Sequence, residues 1–187
     1  MPIAYQLKQS DYPKYTIKEW EKWEGYWELI KGVPFAMSPM GTIKHQQASF
    51  VLAKIIDDAL SKTKCNCQIL LPINLVIDKE TILHPDLSVV CQGLDDKLYI
   101  KTPPNIIIEI LSPSTAHKDK TTKRNIYAEF GVEYYWLVDP INESITVYQL
   151  KNGEYQQIDF QNSDWIFDLN GCPFSINLSN FWQQLNS

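Results

Sequence analysis

The stretch NIIIEILSPSTAHKDKTTKRNIY, residues 105–127, contains a strand, a turn and the start of a helix. Five of the six residues at 106–111 are large aliphatics, and the sixth is Glu109. A short, continuous apolar run bounded by turn residues is the pattern of a buried strand. A carboxylate inside such a run costs on the order of several kcal/mol unless a cation, a metal ion or hydrogen bonds compensate it. Ser112-Pro113-Ser114-Thr115 ends the run. A helix is predicted over residues 116–130, carrying Asp119, Lys123 and Tyr127 at i, i+4 and i+8, with Gly131 as its stop. Residues 133–138 form the next apolar run and end at Asp139-Pro140. Strand, helix and strand together predict a βαβ crossover.

Upstream, a second acid stands in His84-Pro85-Asp86, at the entrance to the apolar run 86–91. Pro85 restricts the backbone there and removes one donor. Thr42 is positioned to cap a helix through about Ser61, with Ile43, Ala48, Val51, Leu52, Ile55, Ile56, Ala59 and Leu60 at helical spacing. His45 and Gln46 lie in its first turn. Residues 26–37, YWELIKGVPFAM, predict a β-hairpin turning at Lys31-Gly32. Within it Glu28, between Trp27 and Leu29, has a solvent-facing position as its plain alternative. Strands are expected at 65–71 and 73–77, with a polar turn at 78–80, and loops at 38–41, 93–97 and 101–104. Residues 1–15 are expected to form an irregular arm. Thr16 and Glu19 then match a capping box opening the short helix IKEWEKWE. Beyond the crossover, Asn152-Gly153 signals a hairpin over 144–160. One more strand at 164–169 and a short helix after Ser179 complete the chain. The fold class is α/β, with a mixed central sheet flanked by helices.

The chain has 187 residues, enough for one domain. Its net charge is −5, which disfavours tight non-specific nucleic-acid binding, although a local basic patch can still serve. No run of 18 apolar residues occurs, so no membrane span is expected, and the first residues lack a signal peptide's apolar core. A cytoplasmic location follows as an expectation. The four cysteines (65, 67, 91 and 172) show no metal-ligand spacing with the three histidines, and reduced thiols are expected.

Two strand-borne acids, Asp86 and Glu109, followed by Lys123 on the next helix, suggest a metal-dependent hydrolase. Acids on neighbouring strands can hold one Mg2+, which favours one or two carboxylates, waters and phosphate oxygens. A nearby lysine can orient the attacking water and stabilise developing charge. Each residue also has a structural alternative. Asp86 suits a strand-end turn, and Glu109 with Lys123 suits a buried ion pair. Asp119 suits a helix N-terminus. Lys118, Lys120, Lys123 and Arg124 suit a solvated face.

These stretches resemble the restriction-endonuclease-like superfamily, whose signature is P-D, a spacer, then (D/E)-x-K. They resemble its Uma-two family more closely, through YWELIKGVPFAMSP (26–39), the His45-Gln46 helix start, HPDLSVV (84–90) and the run 106–140. The resemblance implies a restriction-endonuclease-like domain over 1–187, with its core at about 26–140 and a C-terminal hairpin and short helix over 141–187. It implies Asp86 and Glu109 as metal ligands for Mg2+, with Mn2+ able to substitute. Catalytic work is expected from Asp86, Glu109, Lys123 and Glu28. Contacts to a nucleic-acid substrate, DNA above all, are expected from His45, Lys120, Arg124 and Tyr127. Leu111 stands where the superfamily has its lysine, so Lys123 has to reach across from the helix. The alternative is an inactive nuclease fold serving as a binding or dimerisation module. A homodimer is expected in either case, with the aromatic cluster Trp20, Trp23, Tyr26 and Trp27 as a candidate face.

Overall fold

The computed structural model describes residues 13–37, 41–91, 94, 98–160 and 164–186. Residues 1–12 of the arm expected over 1–15, most of the loops at 38–41 and 93–97, and residues 92, 161–163 and 187 lie outside the described residues.

The apolar run after Asn105 forms strand β8 (Ile106–Ile110), at the centre of the molecule. In order, the preceding elements are α1 (Ile17–Trp20), β1 (Trp27–Ile30), β2 (Val33–Ala36), α2 (Ile43–Leu60), β3 (Gln68–Leu70), β4 (Asn74–Asp78), β5 (Thr81–Leu83), β6 (Leu87–Val90) and β7 (Tyr99–Ile100). After β8 come α3 (Ala116–Lys118), a π-helical turn (Asp119–Lys123), α4 (Arg124–Phe130), β9 (Tyr134–Asp139), β10 (Ser144–Lys151), β11 (Glu154–Ile158), β12 (Asp164–Asp168), β13 (Pro173–Asn177) and α5 (Phe181–Leu185).

A six-stranded sheet runs in the order β11-β10-β9-β8-β6-β3. Only β8 and β9 pair parallel within it, with Glu109 opposite Leu137, so the sheet is mixed and the predicted βαβ crossover is present. A second sheet runs β2-β1-β5-β4-β7. The β1–β2 hairpin turns at Lys31-Gly32, both with positive φ (51° and 82°), the backbone of a two-residue primed turn. Asn152 and Gly153 repeat that device between β10 and β11. Gly131, at φ 96°, ends α4, and the Val132 N–H reaches back to the Tyr127 carbonyl, a Schellman-type stop.

Successive residues of β8 point to opposite sides. Ile106, Ile108 and Ile110 join the core made with Leu52 and Ile56 of α2, Phe167 and Phe174 of β12 and β13, and Phe181 of α5. Ile107 and, just past the strand, Leu111 join a second core with Ile126 and Tyr127 of α4, Leu75 and Leu83. Glu109 lies on that second side.

Several expectations change. The short strands β5, β7 and β13 were not anticipated. The predicted helix at 116–130 is interrupted by the π-helical turn, and α1 ends at Trp20 rather than running on to Glu24. The Thr16–Glu19 capping box is present as expected. Ile43, assigned to the buried face of α2, is 78 % exposed, and the buried residues of that helix begin at Ala48. The cysteines are paired, Cys65 with Cys172 and Cys67 with Cys91, rather than reduced. The first pair ties the end of α2 to the β12–β13 hairpin across 107 residues of sequence. Disulfides persist mainly in oxidising compartments, so this pairing and the expected cytoplasmic location pull in opposite directions. Among the described residues no helix is long and apolar enough to cross a membrane. Of the aromatic cluster, Trp20 packs against His84 and Tyr99, Trp23 against Tyr15 and Trp27, and Tyr26 is 61 % exposed. The Trp20 indole donates to the Trp27 carbonyl at 2.7 Å, and Trp23 meets Trp27 edge-on.

Candidate active site

Four carboxylates converge beside β8. Glu109 is 2 % exposed. Its Oε1 accepts from Lys123 Nζ at 3.0 Å and from the Tyr127 hydroxyl at 2.7 Å. Asp86 sits just ahead of β6, the antiparallel neighbour of β8. Its Oδ2 accepts the Ile110 backbone N–H at 2.7 Å and contacts His45 Nε2 at 3.1 Å. The first bond ties Asp86 to the residue next to Glu109.

Glu28 is fully buried, so its plain alternative, a solvent-facing position, is corrected. The reason is topological: β1 lies between β2 and β5, and lysines from the π-helical region cover this face. Glu28 Oε1 takes Lys123 at 2.8 Å and the His84 backbone N–H at 3.2 Å, and Oε2 takes Lys118. Asp119 is 2 % exposed, with Oδ1 3.5 Å from Lys123 Nζ and without a hydrogen-bond partner.

Lys123 is therefore surrounded by Glu28, Glu109 and Asp119 and is 3 % exposed. Burial draws its pKa down, but Glu109, Glu28 and Asp119 outweigh burial and hold it well above the usual lysine range. It is a fixed cation. Glu28 is the matching anion: burial raises its pKa, but Lys123 and Lys118 overcome this and bring it to about 2. Glu109 moves the other way. Burial pushes it well above the usual carboxylate range, with Asp119, Asp86 and Glu28 adding to the push and Lys123 opposing it. Glu109 is thus the acid with most to gain from a further positive charge. The hydrogen bond to Asp86 raises the pKa of His45, against burial.

Among the described residues, no three His, Cys, Asp or Glu side chains form a ready-made metal cage. Mg2+ does not require one, since it binds through one or two carboxylates and keeps several waters. The charge count favours a cation. Among the described residues the cationic partners of Glu28, Asp86, Glu109 and Asp119 are Lys118, Lys123 and His45. With all four acids ionised and His45 protonated, one negative charge is left over. Burial raises the pKa of both Glu109 and Asp119, so a further positive charge would favour their ionised forms, and Asp119 Oδ1 lacks a donor. The residues present fit a divalent ion.

Glu28, His45, Asp86, Glu109, Lys123 and Tyr127, singled out in the sequence, thus come together. Tyr127 is buried against Glu109 rather than open to solvent. Lys120 and Arg124 are not brought in. Arg124 lies over the Tyr148 ring, 5.4 Å from its centroid, and the charge of Lys120 acts on Asp139 at the end of β9. Two neighbours were passed over as site residues, Asp119 and His84, while Lys118 was grouped with Lys120, Lys123 and Arg124 as basic residues able to touch phosphate or to form a solvated face. The ring Nε2 of His84 is buried without a partner. The signal for Asp119 was its i+4 spacing to Lys123. His84 gave none beyond proximity in sequence.

Comparison with known proteins gives a consistent picture. The profile of the Uma2 (Uma-two) family, described as "Putative restriction endonuclease", matches residues 11–179. An uncharacterized protein of Synechocystis sp. is 28 % identical over 165 residues, covering 83 % of this chain and 85 % of that protein. A crystal structure from Anabaena variabilis, described as "a putative nuclease belonging to DUF820", superposes with a TM-score of 0.71 at 19 % identity. It covers 91 % of this chain and 99 % of its own. That likeness shows a shared fold.

Proposed function

The chain belongs to the Uma2 family, and on that premise we propose that it is a Mg2+-dependent endonuclease hydrolysing phosphodiester bonds in DNA. The observation that carries this reading is the meeting of Asp86 and Glu109, from neighbouring strands, beside the fixed cation Lys123. Asp86 and Glu109 would hold Mg2+ or Mn2+. When bound, the ion neutralises phosphate charge and lowers the pKa of a water.

The chain's own residues prepare that site. The Ile110 N–H and His45 fix the Asp86 carboxylate, and Tyr127 with Lys123 fixes that of Glu109. Lys123 holds Glu28, Glu109 and Asp119 around one ammonium. His45, 18 % exposed and biased toward the charged form by Asp86, presents a proton donor beside Asp86. In the proposal the protein acts as a homodimer, which light scattering at micromolar concentration tests.

Plasmid nicking with Mg2+ or Mn2+ tests the activity. Relaxation by the wild-type chain and its loss in Asp86→Ala are expected. Equal nicking by both, or none by the wild type, sinks the reading. One observation favours the alternative of a non-catalytic module: Lys123 is 3 % exposed and enclosed by Glu28, Glu109 and Asp119, which leaves it no open side for substrate.

A further inference from the structure

We propose that Lys118 is the lysine that meets the substrate phosphate, while Lys123 is a positioning residue holding the carboxylates from behind. This rests on the phosphodiesterase reading above and resolves the objection just raised against it.

Exposure and bonding separate the two lysines. Lys123 is 3 % exposed and Lys118 20 %. An ammonium has three donors, and Lys123 has three acids around it: Glu28 at 2.8 Å, Glu109 at 3.0 Å and Asp119 at 3.5 Å. Turning it toward a phosphate would leave Glu109 and Asp119 buried without their nearest countercharge. Among the described residues Lys118 has one acidic partner, Glu28 Oε2. Glu28 does not depend on that bond alone, because its Oε1 is held by Lys123 and by the His84 N–H. Lys118 can therefore exchange a carboxylate for a phosphate while Glu28 keeps a countercharge.

The route outward is also present. Lys118 Nζ lies over the Phe35 ring, 5.5 Å from its centroid, and Phe35 is 39 % exposed. A cation over a ring face keeps a favourable contact while partly hydrated. The backbone explains why two lysines five residues apart reach one carboxylate. In a regular α-helix they would point about 140° apart at 3.6 residues per turn. The π-helical turn Asp119–Lys123 between them closes i→i+5, which brings positions 118 and 123 to the same side.

The test uses the full chain with fluorescein-labelled DNA, duplex and single-stranded, in an anisotropy titration over a range of salt. Plasmid nicking is measured in parallel. One phosphate contact accounts for a slope of about 0.9 in log K against log salt, which is about eightfold in affinity at 0.1 M. Lys118→Gln should weaken binding by about that factor and flatten the slope by about 0.9. KM should rise in proportion, with kcat within about twofold. Lys118→Arg should restore both binding and slope. Wild-type affinity and slope in Lys118→Gln overturn the inference and leave the nuclease reading standing. So does a Lys118→Arg chain that stays folded yet binds as weakly as Lys118→Gln. A wild-type chain that neither binds nor nicks DNA overturns both.

Discussion

The two sides of β8 differ in how they are held together. On one side Ile106, Ile108 and Ile110 bury hydrocarbon against α2, α5 and the β12–β13 hairpin. That packing is indifferent to pH and ions, and its strength grows with area. On the other side Glu109 stands within a group of four acids and two lysines, where each charge is tolerable only while its partners are present. The contrast shows a division of labour. The apolar side supplies stability without depending on the site, which under the proposed function leaves the acidic side free to hold its carboxylates for a cation.

The largest expected effect comes from removing the fixed cation. Lys123→Met leaves three buried acids without their shared partner, a loss of about 3–5 kcal/mol by analogy with broken buried pairs. Urea denaturation measures it, and a loss under about 1 kcal/mol would mean the acids are far better solvated than their burial indicates. Next comes Glu28. Its folded pKa of about 2 lies below its ordinary 4.5, so its ionised form stabilises the fold. That contribution is complete above the unfolded value and is lost as pH falls through about 2. It amounts to roughly 3 kcal/mol. The stability gap between the wild type and Glu28→Gln should therefore be near its full size at pH 6 and about half as large by pH 3. A gap that does not change with pH would refute the ion-pair account. Ile108→Val on the apolar side should cost only about 1 kcal/mol, with nicking activity unchanged. Lost activity there would break the separation between the two sides.

Much of this division was legible in residues 105–127. An acid inside an aliphatic strand has few tolerable environments, and Asp119, Lys123 and Tyr127 followed it at helical spacing. The prediction of a mixed α/β sheet was correct for the same reason, since strand, helix and strand follow one another there. Glu28 could not be placed so firmly. Alternation within a four-residue strand says which residues share a side, not which side a second sheet will cover. The strand Thr81–Leu83 is too short to show periodicity. The π-helical turn leaves no pattern in sequence, so Lys118 read as part of a solvated face. The pairing of Cys65 with Cys172 depends on where the C-terminal hairpin docks, and no local spacing encodes that.

The most direct test is Mn2+ binding followed by the paramagnetic resonance of the free ion, for the wild type and Glu109→Gln. Glutamine keeps an oxygen for the Tyr127 hydroxyl and removes the charge. The account predicts a bound ion in the wild type, and its loss in a Glu109→Gln chain that melts no lower than the wild type. An absence of Mn2+ binding by the wild type, or equal binding by both, would contradict it.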